Sequence, residues 1–244
     1  MLEASRARIP EELPADALVL DVGGWASPLD RADWVLDLMP YETRGLYGQG
    51  PDPHSERFTP ETWVVRDMCA REPWPFADDQ FDFAVCSHTL EDVRDPVWVC
   101  AELRRVARAG YIEVPARAQE QTFGVHGPWV GWSHHHWLVD IREESIEFVL
   151  KPHLLHGRPE FWVDREWTAA QPPERLVSSM TWTGSFEFSE RVFYEPDELH
   201  AFLATVGPIY GAPMERGGAE ARGRVRGRVR TVARRLRAAL RRPG

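Results

Sequence analysis

The chain has 244 residues, 43% of them hydrophobic, enough for the core of one domain with additions. No run of eighteen apolar residues occurs, which excludes a bilayer-spanning helix, and the charged opening MLEASRARIPEEL lacks the apolar stretch of a signal peptide. The formal net charge is −9, yet residues 222–244 hold ten arginines and no acid, so residues 1–221 stand at −19, an acidic body that argues against a nucleic-acid cleft.

Residues 17–22 (ALVLDV) form an apolar run that stops at Gly23-Gly24, the pattern of a buried parallel strand ending in a turn. Residues 33–38 and 62–66 are further strands, separated by a polar, Pro- and Gly-containing loop with a short helix from Pro60. Residues 81–86 (FDFAVC) are a fourth strand. Residues 95–108 read as a helix, with Asp95 as N-cap, Pro96 at the first position and Gly110 ending it. YIEVP is the fifth strand. Strands alternating with crossovers predict an α/β fold built on a Rossmann-like, mainly parallel sheet with helices on both faces.

The pattern changes after Pro115. Residues 116–194 are rich in Trp, His and Phe and carry short strand-like pieces, predicting an inserted β-rich cap. Residues 195–210 are read as a return to the core. Residues 211–244 are a Gly-rich linker and an arginine-rich tail. In the tail Val225, Val229, Val232, Leu236 and Leu240 share one helical face. Such a basic helix over 222–242 can lie on anionic lipid, dock on the acidic body or bind nucleic acid, the last least favoured. Of three cysteines without a CxxC pair, Cys69, Cys86 and Cys100, the latter two sit in core elements and are expected to be buried thiols, and the location to be cytoplasmic, with peripheral membrane contact through the tail.

Ligands of open parallel sheets sit beyond the carboxyl ends of the strands. Strand one ends at Asp21 with Gly23 and Gly24 behind it, and strand two ends at Asp37, where a carboxylate can accept ribose hydroxyls. Strand three is followed by Asp67, able to accept an adenine amino group, and by Met68, able to lie on the ring. Strand four ends at Ser87 and His88.

In this joint order LDVGG and PFADDQFDFAVCSHTLEDVRDP resemble the class I S-adenosylmethionine (SAM) methyltransferases of the small, type 11 sort, over residues 17–115. The resemblance implies SAM as cofactor, with Asp21, Gly23 and Gly24 bordering its methionine part, Asp37 its ribose, Asp67 and Met68 its adenine, and Ser87 lining the pocket near the sulfonium. SHHHWLVD resembles a subset of the same proteins. The chain departs from the pattern in three places. Trp25-Ala26-Ser27-Pro28 replace the third glycine, only ten residues separate Gly24 from Val35, and Asp92 stands where the family usually has His. A crossover that short leaves room for a turn in place of a helix.

Methyl transfer from a sulfonium needs alignment and at most one base. His88 is the first candidate and Glu91 the second. In the His134-His135-His136-Trp137 run, neighbouring histidines of a strand would face opposite ways, which weighs against a metal site. His135 and Trp137 are instead candidates for the acceptor edge, with lid packing as the alternative. Phe123, Trp129 and Trp132 could add a stacking surface. The expected function is methyl transfer to a small-molecule or glycan-type acceptor. A non-catalytic, methyltransferase-like binding module tethered by the basic tail is the alternative.

Overall fold

The computed structural model describes residues 1–46 and 55–206. The Gly-rich linker and the arginine-rich tail, residues 211–244, therefore lie outside the described residues.

Along the chain run α1 (Glu3–Glu12), β1 (Val19–Val22), β2 (Trp34–Asp37), β3 (Trp63–Val65), β4 (Phe83–Ser87), α2 (Pro96–Val106), β5 (Ala109–Pro115) and α3 (Arg117–Glu120). They are followed by β6 (Trp137–Arg142), β7 (Ser145–Leu150), α4 (Arg165–Ala169), β8 (Val177–Thr183), β9 (Glu187–Glu190) and α5 (Pro196–Leu203). The central sheet has the order β3-β2-β1-β4-β5-β8. Its first five strands are parallel and β8 is antiparallel to β5. This is the Rossmann-like architecture expected from the alternation of strands and crossovers.

Side-chain alternation along the strands splits the core in two. Leu20, Val22, Leu36, Ala84, Cys86 and Ile112 face Val99, Cys100, Leu103 and Val106 of α2. Val19, Val35, Val85 and Tyr111 face Ile9 of α1 and Leu13 just beyond it. Helix α2 starts as its sequence dictates: Asp95 accepts from Trp98 N at 3.0 Å and Pro96 fills the first turn. It stops at Val106, however, not at Gly110. Gly110 lies inside β5, where a Cβ would stand 2.5 Å from the Ala84 carbonyl and 2.7 Å from Trp182 Nε1. Between β1 and β2 no helix forms, in keeping with the short spacer.

The boundaries drawn after Pro115 need correction. Strand β8, inside the stretch read as cap, pairs with β5 along its whole length and belongs to the central sheet. Beyond β5 the smaller sheet, β6-β7-β9, forms from an antiparallel hairpin and a strand parallel to β7. Helix α5, read as a return to the core, packs Phe202 and Leu203 onto Val130, Leu138, Val149 and Phe161 of the cap. Arg117 fixes that contact by pairing with Asp140 at 2.9 Å and donating to the Phe202 carbonyl at 2.6 Å.

Candidate functional site

The carboxyl ends of β1, β2 and β4 converge on one crevice edge. Gly23 has φ +78°, and a Cβ there would collide with the Thr89 side chain at 2.1 Å, so only glycine suits the turn. Asp21 is buried and accepts from Leu29 N at 2.8 Å. Burial pushes its carboxyl up to about 6, against the opposing pull of the Leu29 N–H. Asp37 is buried as well, one oxygen accepting from Trp25 N at 3.0 Å and the other from Met39 N at 2.9 Å. Residues 24–28 are thus folded down onto the two carboxylates. Arg6 of α1 holds them there, donating to the carbonyls of Pro28 at 2.7 Å and Ser27 at 2.5 Å.

Asp67 lies beyond β3, where it pairs with Arg94 at 2.8 Å and accepts from Cys69 N at 2.9 Å. The Cys69 N–H and the arginine hold its carboxyl below the usual range. Met68 is buried in the core rather than presented to a ring, and its carbonyl accepts from Trp74 Nε1 at 3.1 Å.

At the end of β4, Ser87 Oγ is buried and has no hydrogen-bond partner. His88 takes φ +52°, a left-handed conformation uncommon for a side-chain-bearing residue. Its Nε2 lies 3.1 Å from Glu113 Oε1 and its Nδ1 3.5 Å from Glu91 Oε1. Burial alone would lower the imidazole pKa, but Glu113 and Glu91 outweigh it and lift it to about 9. Burial would likewise raise Glu113, yet His88 and Tyr111 bring it down to about 2. Leu2 N also donates to Glu113, at 2.8 Å. At neutral pH His88 is therefore an imidazolium held by carboxylates.

A second cluster adjoins the first. Residues 131–136 form a turn, not a strand, and this removes the expectation that adjacent histidines diverge. The rings of His134 and His135 lie 4.6 Å apart, and their Nε2 atoms stand 4.0 and 3.7 Å from Asp92 Oδ1. His135 Nδ1 contacts Glu120 Oε1 at 2.8 Å, and Glu120 accepts from Lys151 Nζ at 2.8 Å. Asp92 is pushed up to about 6 by burial and by Glu91 and Glu120, with His135 pulling the other way.

Of the two acceptor candidates, His135 is largely buried within this cluster. Trp137 is also buried and donates its indole N–H to the Val93 carbonyl at 2.8 Å. Trp137 nonetheless borders a groove of about 360 Å³ with Arg71, Arg94, Pro96 and Val97. The three other aromatics already have ring partners: Phe123 stacks on Trp162 at 4.5 Å, Trp129 meets His156 and Trp132 stacks on His135.

Sequence reasoning passed over Glu113, Glu120, Lys151 and helix α1. A signal existed for the first: a glutamate inside the apolar strand YIEVP is unusual unless paired. The helix left little trace, because only Ile9 and Ser5 along it are buried.

The residues present suit a cofactor bearing a ribose and a sulfonium. Two glycines open the backbone, Asp37 keeps free lone pairs beside its main-chain donors, and the buried Ser87 hydroxyl has no hydrogen-bond partner within the described residues.

Residues 52–112 match the family model described as a methyltransferase domain. No curated protein matches the chain. A SAM-dependent methyltransferase from Mesorhizobium loti shares 16% identity over 62% of this chain and 65% of its own, with a TM-score of 0.37. One from Aquifex aeolicus shares 16% over 48% and 69%, with a TM-score of 0.35. A chain from the complex of the Haloferax volcanii Trm112 methyltransferase activator with a methyltransferase shares 18% over 47% and 50%, also at 0.35. The chain thus spans about half the length of that last structure. The matched segment, residues 52–112, carries β3, β4, α2 and part of β5, and over it the chain is similar to methyltransferase domains.

Proposed function

We propose that the protein transfers a methyl group from SAM to a small-molecule or glycan-type acceptor at the carboxyl ends of β1, β2 and β4. The observation that carries this reading is the buried, unpartnered Ser87 Oγ beside His88 and Gly23. When bound, SAM supplies a methyl carbon made electrophilic by its sulfonium. The chain's own contribution is placement. Gly23 and Gly24 admit the backbone, Asp37 accepts hydroxyls, Asp67 accepts an amino group at the rim, and Ser87 donates or accepts near the reacting end. In the groove proposed for the acceptor, Trp137, Pro96 and Val97 offer an apolar side, and Arg71, Arg94, Asp95 and Glu190 a charged one.

His88 takes a different part from the base assigned to it by position. A pKa raised to about 9 leaves little neutral imidazole to take up the acceptor's proton at neutral pH. Its imidazolium instead balances Glu91 and Glu113 and fixes the turn that carries Ser87.

The same pairing supports a second reading, a binding module without turnover, since His88 is then withdrawn from the role of base. Calorimetric titration with SAM tests the first step. No heat at millimolar cofactor overturns both readings. Binding together with release of S-adenosylhomocysteine on an acceptor pool supports the enzyme, and binding alone supports the module.

A further inference from the structure

We propose that Asp92, His134 and His135 form a three-ligand site for a divalent transition-metal ion of the zinc class, open to the acceptor at a fourth position. Each of the three offers a ligand atom within 4.8 Å of the other two, and the Nε2 atoms of His134 and His135 lie 4.0 and 3.7 Å from Asp92 Oδ1. A tetrahedral ion with bonds of about 2.0–2.1 Å needs ligand atoms about 3.3 Å apart. The existing gaps of 3.7 and 4.0 Å to Asp92 exceed that spacing by less than about 1 Å. His134 and Asp92 keep about half and two fifths of their side-chain surface in solvent, which leaves them free to rotate and leaves an entry path.

Three independent features point to a ligand here. First, Asp92 Oδ1 is shielded from solvent and has no hydrogen-bond partner. Second, Glu120 is placed as the outer carboxylate of a metal-binding histidine. It engages Nδ1 of His135 at 2.8 Å, so Nε2 is the nitrogen turned toward Asp92, and Lys151 in turn anchors Glu120. Third, both oxygens of Glu91, a residue 1% exposed and next to Asp92 in sequence, lack hydrogen bonds. Of the three carboxylates gathered here, Glu91 faces His88 and Glu120 pairs with Lys151, which leaves Asp92 with the two histidines alone, and a divalent ion would join it to them.

The two turns that carry the ligands are fastened to each other. His136 N donates to the Glu91 carbonyl at 2.7 Å, and Trp137 Nε1 donates to the Val93 carbonyl. The ligands are thus held close before any ion arrives. Two histidines with one carboxylate and an open position favour zinc-class ions over calcium or magnesium, which prefer all-oxygen shells.

The proposed role rests on the methyltransferase reading: an ion four residues past His88 can ligate an acceptor oxygen or sulfur and ease loss of its proton. This would serve a site whose histidine is already protonated. The metal binding itself does not depend on that reading.

The test uses the full chain, stripped with a chelator and titrated with Co²⁺. One equivalent should bind and show the intense visible bands of tetrahedral Co²⁺, lost on adding Zn²⁺. Asp92→Asn and His134→Ala, both at partly exposed side chains, should each weaken binding at least about 100-fold with an unchanged melting curve. Glu120→Gln should weaken it about 10–100-fold. No stoichiometric binding at micromolar Co²⁺, or binding that survives Asp92→Asn and His134→Ala, overturns the proposal. SAM titration of the stripped protein is a separate readout, so failure of the metal site and failure of the cofactor site can be told apart.

Discussion

Glu113 and His88 are joined twice: the side chains meet at 3.1 Å, and His88 N donates to the Glu113 carbonyl at 2.8 Å. The backbone bond belongs to the β4–β5 pairing, so the sheet itself brings the charges together. Glu113 is depressed to about 2, so its contribution is complete above its ordinary value of 4.5 and fades as pH falls toward 2. His88 is raised to about 9, so its contribution is complete below 6.5 and fades as pH rises through 9. Both are fully present only between about pH 4.5 and 6.5. Melting temperature against pH should therefore fall below about pH 4.5 through Glu113 and above about pH 6.5 through His88, with buried Asp21, raised to about 6, tilting the interval between them downward as pH rises. In Glu113→Gln the alkaline fall should become smaller and be complete at a lower pH, and an unmoved alkaline limb would remove the pair as its cause.

Glu102 anchors the loop ahead of β4. It accepts from Trp74 N at 2.6 Å and pairs with Arg105, which also donates to the carbonyls of Phe76 and Trp74. Glu102→Ala leaves the buried Trp74 N–H without an acceptor and should cost about 2–3 kcal/mol, measured by urea unfolding. A loss under about 0.5 kcal/mol would mean that water replaces the carboxylate.

Gly110→Ala should destabilise by about 1–3 kcal/mol, because the new methyl meets a main-chain carbonyl that cannot swing aside. Adding Trp182→Phe relieves only the indole contact, so the double variant should recover part of the loss. Full recovery would show that Ala84 moves.

Asp37→Ala removes the acceptor for Trp25 N and Met39 N and, under the proposed function, a ribose contact. SAM affinity should fall at least tenfold, equivalent to about 1.4 kcal/mol. Asp37→Asn, which keeps one acceptor oxygen, should fall less. Equal affinity in all three proteins by calorimetry would move the cofactor elsewhere.

The central sheet was legible because its strands are short apolar runs punctuated by Gly and Asp, and Asp95-Pro96 marks a helix start unambiguously. The turn at 131–136 was not, since three histidines before WLVD continue a strand pattern that local sequence does nothing to interrupt. Strand β8 was taken for cap because VSSMTWT alternates like a half-exposed edge strand, which it is, and nothing local says which sheet receives it. The positions of Asp21, Asp37 and Ser87 followed from the strand ends. Their hydrogen bonds did not, because Trp25 N, Met39 N and Leu29 N reach them only through the folded loop.

Lys151 is the chain's only lysine, and its side chain is 5% exposed against Glu120. An amine-reactive reagent therefore finds no accessible lysine on the folded protein, despite its many positive charges. Labelling at Lys151 would report opening of the cap at a single position, which makes that residue a built-in probe for local unfolding.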